Sequence, residues 1–241
     1  MAFLAAPFAL RSPTTMTALE PHICFEDEHL LVINKPAGMP TQPDPTGDLS
    51  LLKWLTNPRG AAATLHLVNR LDRPVSGLVV LAKTRQAMAH VQQLFREGRV
   101  KKEYLAAVEG APPEEEGELV HFLTQNPKTH RAYVHFSAQP NAVRAALHYR
   151  LLGKGERYSF LLVQPTTGRH HQIRAQLAAM GCPIKGDVRY GARRANRDRS
   201  IHLHAWRLTL EHPATHQPLS IRAPLPQTDG LWREMAGKIP Q

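Results

Sequence analysis

The stretch LVNRLDRPVSGLVVLAKT, residues 67–84, joins three segments with different physical chemistry. In the first segment, the carboxylate of Asp72 lies between the guanidiniums of Arg70 and Arg73 along the chain. The sequence PVSG at 74–77 predicts a turn, because proline fixes φ and glycine permits positive φ. The apolar run that follows has the length and the β-branched content of a buried strand. The stretch therefore predicts either a reactive acid held at a rigid strand end or a surface ion cluster ahead of a core strand.

The charge balance of the whole chain narrows the classes of partner. The 241 residues carry 30 Lys and Arg against 20 Asp and Glu, which gives a net charge of +10. This balance favours a polyanion, with nucleic acid ahead of a membrane surface, although a basic surface without a partner stays open. No run approaches the ~20 apolar residues of a membrane span, so no membrane association is predicted. The two cysteines, Cys24 and Cys182, form no disulfide framework and fit a reducing compartment, so we expect a cytoplasmic protein.

Several further motifs favour a functional role for the Asp72 stretch. RLDRPVSGLVVLAKT, residues 70–84, resembles the RLD signature of the RluA-type RNA pseudouridine synthases, which continues into a turn and an apolar strand. Other segments that resemble this family follow in the family's order. They are LVINKPAG at 31–38, KKEY at 101–104, TGRHHQIR at 167–174, PIKGDVRYG at 183–191, LHA at 203–205 and HP at 212–213. An ordered series that spans about residues 20 to 226 is hard to obtain by chance.

The resemblance and the pattern of short strands together predict the fold class. We expect an α+β protein with a mixed, largely antiparallel central sheet and flanking helices and loops. Apolar residues at helical spacing predict helices at 85–99 and 168–180. Residues 1–18 are expected to form a disordered leader, and residues 19–241 a single catalytic domain without a separate N-terminal RNA-binding domain. We expect this domain to act as a monomer.

The reaction of the family converts uridine to pseudouridine without a redox step, an energy source or a metal, so no cofactor is predicted. The N1–C1′ bond breaks, the uracil rotates, and a C5–C1′ bond forms. The resemblance assigns the central carboxylate to Asp72, which either attacks C1′ or removes a proton from C2′ to give a glycal. It pairs Arg174 with this carboxylate, with Arg169 as the less favoured partner, and a neighbouring guanidinium keeps a carboxylate ionised. Tyr104, the third predicted catalytic residue, corresponds to the family tyrosine that stacks on the target base, with removal of the C5 proton as its alternative role. Stacking is favoured because a phenol with a pKa of ~10 is a poor base.

The family associates the arginine of the RLD motif with flipping of the target nucleotide, which assigns that role to Arg70. Flipping costs on the order of a few kcal/mol of unstacking, and a guanidinium can fill the vacated space. A phosphate contact or an ion pair with Asp72 is the alternative role for Arg70. Other cations are predicted to bind the RNA because they lie in basic segments or in family motifs. These are Arg73, Lys101, Lys102, Arg169, Lys185, Arg193 and Arg194.

Two features depart from the family pattern or point to other chemistry. Asn69 stands where the family usually has histidine, and an amide forms hydrogen bonds but does not titrate near neutral pH. The pairs His170–His171 and His202/His204 could in principle be ligands of a metal ion. No carboxylate or cysteine accompanies them at ligand spacing in the chain, so no metal site is predicted.

The leading hypothesis is an isomerase that converts specific uridines of structured RNA, tRNA or rRNA, to pseudouridine. A non-catalytic RNA-binding or folding factor on the same scaffold is the main alternative, and it predicts a degraded catalytic set. Asp72, Tyr104 and Arg174 are all present, which favours the enzyme. A glycoside or nucleoside hydrolase is the third hypothesis, but such enzymes commonly use two carboxylates, and one acid lies in a recognisable catalytic motif.

Overall fold

The computed structural model of the protein describes residues 21–56 and 64–239. The leader predicted at residues 1–18 lies outside this described part of the chain. The described residues form eleven strands and four helices, and none of these helices is long and apolar enough to cross a membrane. The strands are β1 His22–Glu26, β2 Leu30–Lys35, β3 His66–Leu67, β4 Ser76–Ala82, β5 Lys101–Glu109, β6 Glu116–Gln125, β7 Ala132–His135, β8 Val143–Lys154, β9 Tyr158–Pro165, β10 Leu203–Glu211 and β11 Pro218–Arg222. The helices are α1 Leu51–Thr56, α2 Arg85–Arg96, α3 Gln172–Ala179 and α4 Gly230–Ala236, and a 3₁₀ turn spans Val188–Tyr190.

All eleven described strands belong to one sheet, with the order β1-β2-β4-β10-β5-β9-β8-β6-β7. Strand β3 pairs with β4, and strand β11 pairs with β10, outside this path. The pairs are antiparallel except for β4 and β10, which run parallel where His204 faces Ser76 and Ala205 faces Gly77. The sheet is therefore mixed and largely antiparallel, which confirms the predicted fold class.

The apolar run after the Asp72 turn becomes β4, whose seven residues are all buried. Successive side chains point to opposite faces of a strand, so Val79 and Leu81 lie in one layer of the core while Leu78 and Val80 lie in the other. The first layer also contains residues of α1 and α3, and the second contains the apolar face of α2. Because β4 is covered on both faces, it gives the loop that precedes it a rigid base.

Gly77 is required where β4 meets β10. Its φ is +115°, and a Cβ atom on its backbone would lie 2.3 Å from the carbonyl oxygen of Ala205. A side chain at this position would be strained by the backbone conformation and would also clash with β10. The glycine of the PVSG turn therefore permits the close parallel pairing that brings the Asp72 loop beside the start of β10.

Two helices are shorter than predicted. Helix α2 ends at Arg96 rather than at residue 99, and Gly98 adopts a positive φ of 71° just after it. Helix α3 begins at Gln172 rather than at residue 168, because His171 adopts the left-handed conformation, with φ 51° and ψ 22°. A left-handed residue does not continue a right-handed helix. Residues 168–171 therefore form a loop rather than the first turn of α3.

Candidate active site

The loop before β4 fixes the position of Asp72. Both backbone groups of Leu71 bond to the hydroxyl of Thr41, with the N–H donating at 3.2 Å and the carbonyl accepting at 2.9 Å. The carbonyl of Asp72 accepts from the N–H of Val75 at 3.0 Å, which closes the turn. The side chain of Asp72 is 25% exposed, so the carboxylate is held by the fold and is still open to a ligand.

Arg174 projects from α3 onto Asp72 and is itself held by a second carboxylate. Its Nη1 donates to Oδ2 of Asp72 at 3.0 Å, while its Nε and Nη2 donate to the two oxygens of Asp187 at 2.6 and 2.9 Å. Burial alone would lower the pKa of Arg174, but the hydrogen bonds and charges of the two carboxylates raise it. The guanidinium therefore holds a permanent positive charge next to the carboxylate of Asp72. Asp187 forms the two-pronged pair that aims this guanidinium.

Asp72, Tyr104 and Arg174 line one cavity of about 130 Å³, although they come from a loop, from β5 and from α3. Burial, and then the charge of Asp72, raises the pKa of Tyr104, so its hydroxyl keeps its proton. A groove of about 500 Å³ shares Asp72 and Tyr104 in its wall and adjoins the cavity. The fold thus brings together the three residues predicted to be catalytic, in one cavity that shares two of them with the groove.

His171 is a further residue at the carboxylate. Its Nε2 lies 3.5 Å from Oδ2 of Asp72, and its Nδ1 lies 2.9 Å from the hydroxyl oxygen of Tyr190. Its ring stacks on the ring of His170, with 3.9 Å between the centroids. Burial, opposed by the charge of Asp72 and assisted by that of Arg174, lowers the pKa of His171 to about 3. The imidazole is therefore neutral at physiological pH.

The fold places a carboxylate near the histidine pair, whereas the sequence argument found none at ligand spacing. Ligand atoms of Asp72, His170 and His171 lie within 4.8 Å of one another, because the fold joins distant parts of the chain. The surroundings disfavour a cation, since Arg174 already binds Oδ2 of Asp72 and Nε2 of His170 lies 2.8 Å from the carbonyl oxygen of His130. One further group with such spacing within the described residues consists of His90, Glu211 and His216.

Four of the cations predicted to bind RNA line the groove at Asp72, and three of them have a side chain that forms no ion pair with the described residues. Arg70 is exposed and lines both the groove and the small cavity. Lys102 also lines both the groove and the small cavity. Its Nζ donates to the backbone carbonyl of Thr167 at 3.4 Å, and burial lowers the pKa of its ammonium group. Arg169 donates through Nε to a backbone carbonyl at 3.2 Å. Lys101 is exposed at the first residue of β5.

Arg73 also lines the groove, but its guanidinium is engaged with the protein itself. Its Nε donates to the carbonyl of Gly38 at 2.9 Å, its Nη1 donates to the hydroxyl of Thr46 at 3.0 Å, and its Nη2 pairs with Asp48. These contacts hold the loop between β2 and α1 against the Asp72 loop. A contact of Arg73 with RNA stays a prediction beside this structural role.

The other three predicted cations lie elsewhere. Lys185, Arg193 and Arg194 line a second cavity of about 900 Å³, which shares no lining residue with the groove at Asp72. The Nζ of Lys185 donates to Oδ1 of Asn196 at 2.7 Å. The side chain of Arg193 is 91% exposed and lies 3.9 Å from Glu109. Seven of the eight cations predicted to bind RNA therefore line one of two separate surfaces, and Lys101 lines neither.

Lys35, from the NKPAG segment, is fully buried behind the site. Its Nζ donates to the carbonyls of Pro36 at 2.9 Å, Met39 at 2.8 Å and Arg73 at 3.4 Å. Burial lowers the pKa of Lys35 to about 7, although the charge of Asp72 opposes this shift. Lys35 therefore ties the turn after β2 to the loop that holds Asp72.

Asn69, the departure from the family's usual histidine, binds the backbone of β4. Its Oδ1 accepts from the N–H of Val80 at 2.7 Å, and its Nδ2 donates to the carbonyl of Leu78 at 3.4 Å. An amide side chain is a donor and an acceptor at once, which suits this pairing with a strand. Asn69 therefore helps to fix the Asp72 loop, a task that needs no titratable group.

Asp187, His171 and Tyr190 support the site, but the sequence assigned them no role. All three belong to segments that resemble the family, at 167–174 and 183–191. Their presence in those segments was the feature of the sequence that could have identified them as site residues. Which atoms they contact depends on where α3 begins and on the 3₁₀ turn, and spacing along the chain reveals neither.

The chain is similar in sequence and in structure to known RNA pseudouridine synthases. The family described as RNA pseudouridylate synthase matches residues 29–179. An uncharacterized RNA pseudouridine synthase of Bacillus subtilis, YjbO, is 33% identical over 211 residues, covering 85% of this chain and 72% of the relative. Ribosomal large subunit pseudouridine synthase C of Vibrio cholerae is 36% identical over 213 residues, and the match covers 86% of this chain and 66% of that relative. The solved structure of human RNA pseudouridylate synthase domain containing 4 has a TM-score of 0.71 and 27% identity, and covers 90% of this chain and 92% of that one.

These matches extend over most of the described sheet and include the Asp72 loop and the start of α3. They confirm the family that the ordered motifs resemble and the isomerase class that the resemblance implies. The structural match confirms that the mixed sheet is the catalytic fold of such enzymes. The chain therefore belongs to the RNA pseudouridylate synthase family.

Proposed function

We propose that this protein isomerises uridine in ribosomal RNA and that Asp72 is the carboxylate at the reacting sugar. The observation that carries the role of Asp72 is its attachment to Arg174 in a cavity that also contains Tyr104. The choice of ribosomal RNA is supported by relatives named ribosomal large subunit pseudouridine synthase C and D, both 36% identical to this chain. A transfer RNA target is the alternative within the same chemistry.

The chemistry at Asp72 needs an ionised carboxylate at C1′ or C2′ of the target ribose. Arg174 supplies a positive charge 3.0 Å from Oδ2, and its own orientation is set by Asp187. Attack on C1′ and removal of the C2′ proton both use the same carboxylate. In either route the detached uracil has to rotate while it remains in the cavity, so that C5 replaces N1 at C1′.

Tyr104 offers its ring, rather than its oxygen, to the base. Its pKa is raised by burial and by the charge of Asp72, so a phenolate that could remove the C5 proton is disfavoured. The face of a phenol ring stacks on any pyrimidine, and base–aromatic stacking contributes about 1–3 kcal/mol. Stacking would hold the uracil while it is detached from the sugar.

The groove at Asp72 has the features needed to receive a flipped nucleotide. Arg70 is exposed at the rim, where its guanidinium can enter the space that the base vacates. Lys102 and Arg169 line the same groove and can bind the flanking phosphates. We further propose that the protein acts as a cytoplasmic monomer, a setting that fits its two free cysteines, Cys24 and Cys182.

The deciding experiment maps pseudouridine in the total RNA of the host, with and without the gene. We expect one or a few rRNA positions to lose pseudouridine on deletion and to regain it with the wild-type gene. The Asp72→Asn gene should not restore them, although the protein keeps its fold and most of its RNA affinity. Restoration by Asp72→Asn would overturn the role of this carboxylate. Loss of tRNA positions alone would overturn the choice of rRNA.

A further inference from the structure

The contacts of Tyr190 constrain the hydrogen atoms around His171. Tyr190 is 6% exposed, and its hydroxyl oxygen accepts a hydrogen bond from the backbone N–H of Ala132 at 2.8 Å. The same oxygen lies 2.9 Å from Nδ1 of His171. A phenol has one proton to donate, and a buried hydroxyl normally gives it to an acceptor. Within the described residues, Nδ1 of His171 is the acceptor that this hydroxyl can reach.

A hydroxyl that donates to Nδ1 selects one tautomer of the neutral imidazole. Nδ1 then carries the lone pair, so the ring proton resides on Nε2. If Nδ1 carried the proton instead, the Tyr190 oxygen would accept twice and leave its own proton without a partner. That arrangement leaves a buried hydrogen-bond donor unpaired, which destabilises the fold by about 1–3 kcal/mol.

The other side of the ring leads to the same tautomer independently. Nε2 of His171 faces Oδ2 of Asp72 at 3.5 Å. An ionised carboxylate is an acceptor only, so an unprotonated Nε2 would set two lone pairs against each other. A protonated Nε2 instead directs its N–H toward Oδ2. At 3.5 Å this contact is longer than a hydrogen bond, and such contacts often tighten when substrate binds.

We propose that His171 is a positioning residue for Asp72: Tyr190 fixes it as the neutral Nε2–H tautomer, and this N–H orients the carboxylate together with Arg174. The proposal rests on the proposed function of Asp72. Both donors converge on Oδ2, with Nη1 of Arg174 at 3.0 Å and Nε2 of His171 at 3.5 Å. Within the described residues, Oδ1 has no hydrogen-bond partner, so this proposal makes it the oxygen left free to act on the ribose.

A neutral donor has an advantage over a second cation at this position. A positive charge on His171 would add to that of Arg174 and reduce the basicity and the nucleophilicity of the carboxylate. A neutral N–H fixes the direction of the carboxylate without that cost. The left-handed backbone of His171, with φ 51°, turns the ring toward Asp72 before α3 begins.

Two substitutions of His171 distinguish the effect of a donor at the Nε2 position from the effect of losing the imidazole ring. In His171→Gln the amide N–H can reach the position of Nε2, whereas in His171→Asn the shorter amide reaches the position of Nδ1 and not Asp72. Asn tolerates the left-handed conformation better than Gln, so His171→Asn should be the more stable variant. We expect His171→Asn to lower kcat on the order of tenfold to a hundredfold at unchanged KM, and His171→Gln to restore most of it. A purely structural role would give the opposite order.

The tautomer itself can be observed by long-range ¹H–¹⁵N NMR on ¹⁵N-histidine-labelled protein. The signal of His171 is identified among the 14 histidines by its loss in His171→Gln. At pH 7 we expect a neutral ring with its proton on Nε2. Tyr190→Phe removes one of the two groups that select this tautomer, so the Nε2–H form should lose population but stay the major form under the remaining influence of Asp72, and kcat should fall.

A proton on Nδ1 in the wild-type protein, or full turnover by a folded His171→Asn variant, would overturn the proposal. If His171→Asn fails to fold, the spectra of the wild-type and Tyr190→Phe proteins decide the question. Wild-type protein that makes no pseudouridine in any RNA would overturn the proposed function, and the positioning role with it. Failure of the positioning role alone leaves wild-type and His171→Asn turnover equal.

Discussion

Arg174 is the residue on which both the geometry and the stability of the site depend. Its guanidinium joins Asp72 to Asp187, and the side chain of Asp187 is 2% exposed. Arg174→Ala would leave the carboxylate of Asp187 buried without a counter-charge, which destabilises a protein by about 3–5 kcal/mol. We expect this loss in urea unfolding, together with loss of turnover. Arg174→Lys keeps the charge but cannot form the two-pronged pair, so it should lose turnover with a smaller loss of stability. Equal stability of wild type and Arg174→Ala would contradict this account.

Tyr104 allows its ring and its hydroxyl to be tested separately. Because its pKa is raised, the hydroxyl stays protonated and contributes little as a base. We therefore expect Tyr104→Phe, which keeps the stacking face, to retain kcat within a few-fold in a tritium-release assay on 5-³H-uridine-labelled RNA. Tyr104→Ala, which removes the ring, should lose turnover. Loss of turnover in Tyr104→Phe would instead assign proton transfer to the hydroxyl.

The residues of the site to which the family motifs assign a role were the predictable ones. Asp72, Arg174 and Tyr104 lie in motifs that resemble the family, and the structure places them around one cavity. Asp187 and His171 were missed because their roles come from contact geometry. A sequence reveals that a histidine precedes α3, but not that a left-handed backbone turns it toward a carboxylate.

Among the elements, β2 ends at a group that makes stability depend on pH. Lys35 has a pKa of about 7 in the folded protein, well below the ~10.4 of an exposed lysine. Between these values the unfolded chain binds a proton that the folded protein does not bind, so stability rises with pH. The slope contributed by one such group is at most about 1.4 kcal/mol per pH unit.

Lys35→Met should remove this contribution, because methionine is unbranched and has no titrating group. Urea unfolding between pH 7 and 9 should give a wild-type stability that rises relative to that of Lys35→Met. The window stops near pH 9 because the Cys24 thiol, whose pKa is raised to about 11 by burial, adds the opposite slope above it. Parallel stability curves for the two proteins would show that Lys35 stays charged in the fold.

The elements themselves were largely predictable, but their partners were not. The apolar run after PVSG predicted a buried strand, and β4 is fully buried. Periodicity gives no information on which strand lies next to it. The parallel pairing of Ser76 with His204 joins two distant segments, and it depends on Gly77 allowing a close approach that only three-dimensional contacts reveal.

At the scale of the whole molecule, all but one of the cations predicted to bind RNA line two separate surfaces. The first is the groove at Asp72, lined by Arg70, Lys102 and Arg169. The second is the 900 Å³ cavity, whose lining includes Arg193 and Arg194. Composition predicted a polyanionic partner but not this division, since nearness along the chain does not determine which face of the fold a loop occupies. This separation can be tested, because cations outside the groove at Asp72 can increase the affinity for RNA without contacting the reacting nucleotide.

The test is the salt dependence of RNA binding. Each phosphate contact that is lost reduces the slope of log K against log[salt] by about 0.7–0.9. If the second cavity binds the RNA backbone, Arg193→Gln with Arg194→Gln should flatten the slope by about 1.5 and leave kcat at saturating RNA unchanged. The matched control, Arg85→Gln with Arg233→Gln, removes two exposed charges on α2 and α4 that line neither surface. Equal slopes for the two double variants, measured by filter binding from 50 to 200 mM salt, would mean that the second cavity is ordinary solvated surface. A fall in kcat would mean that it also orders the groove.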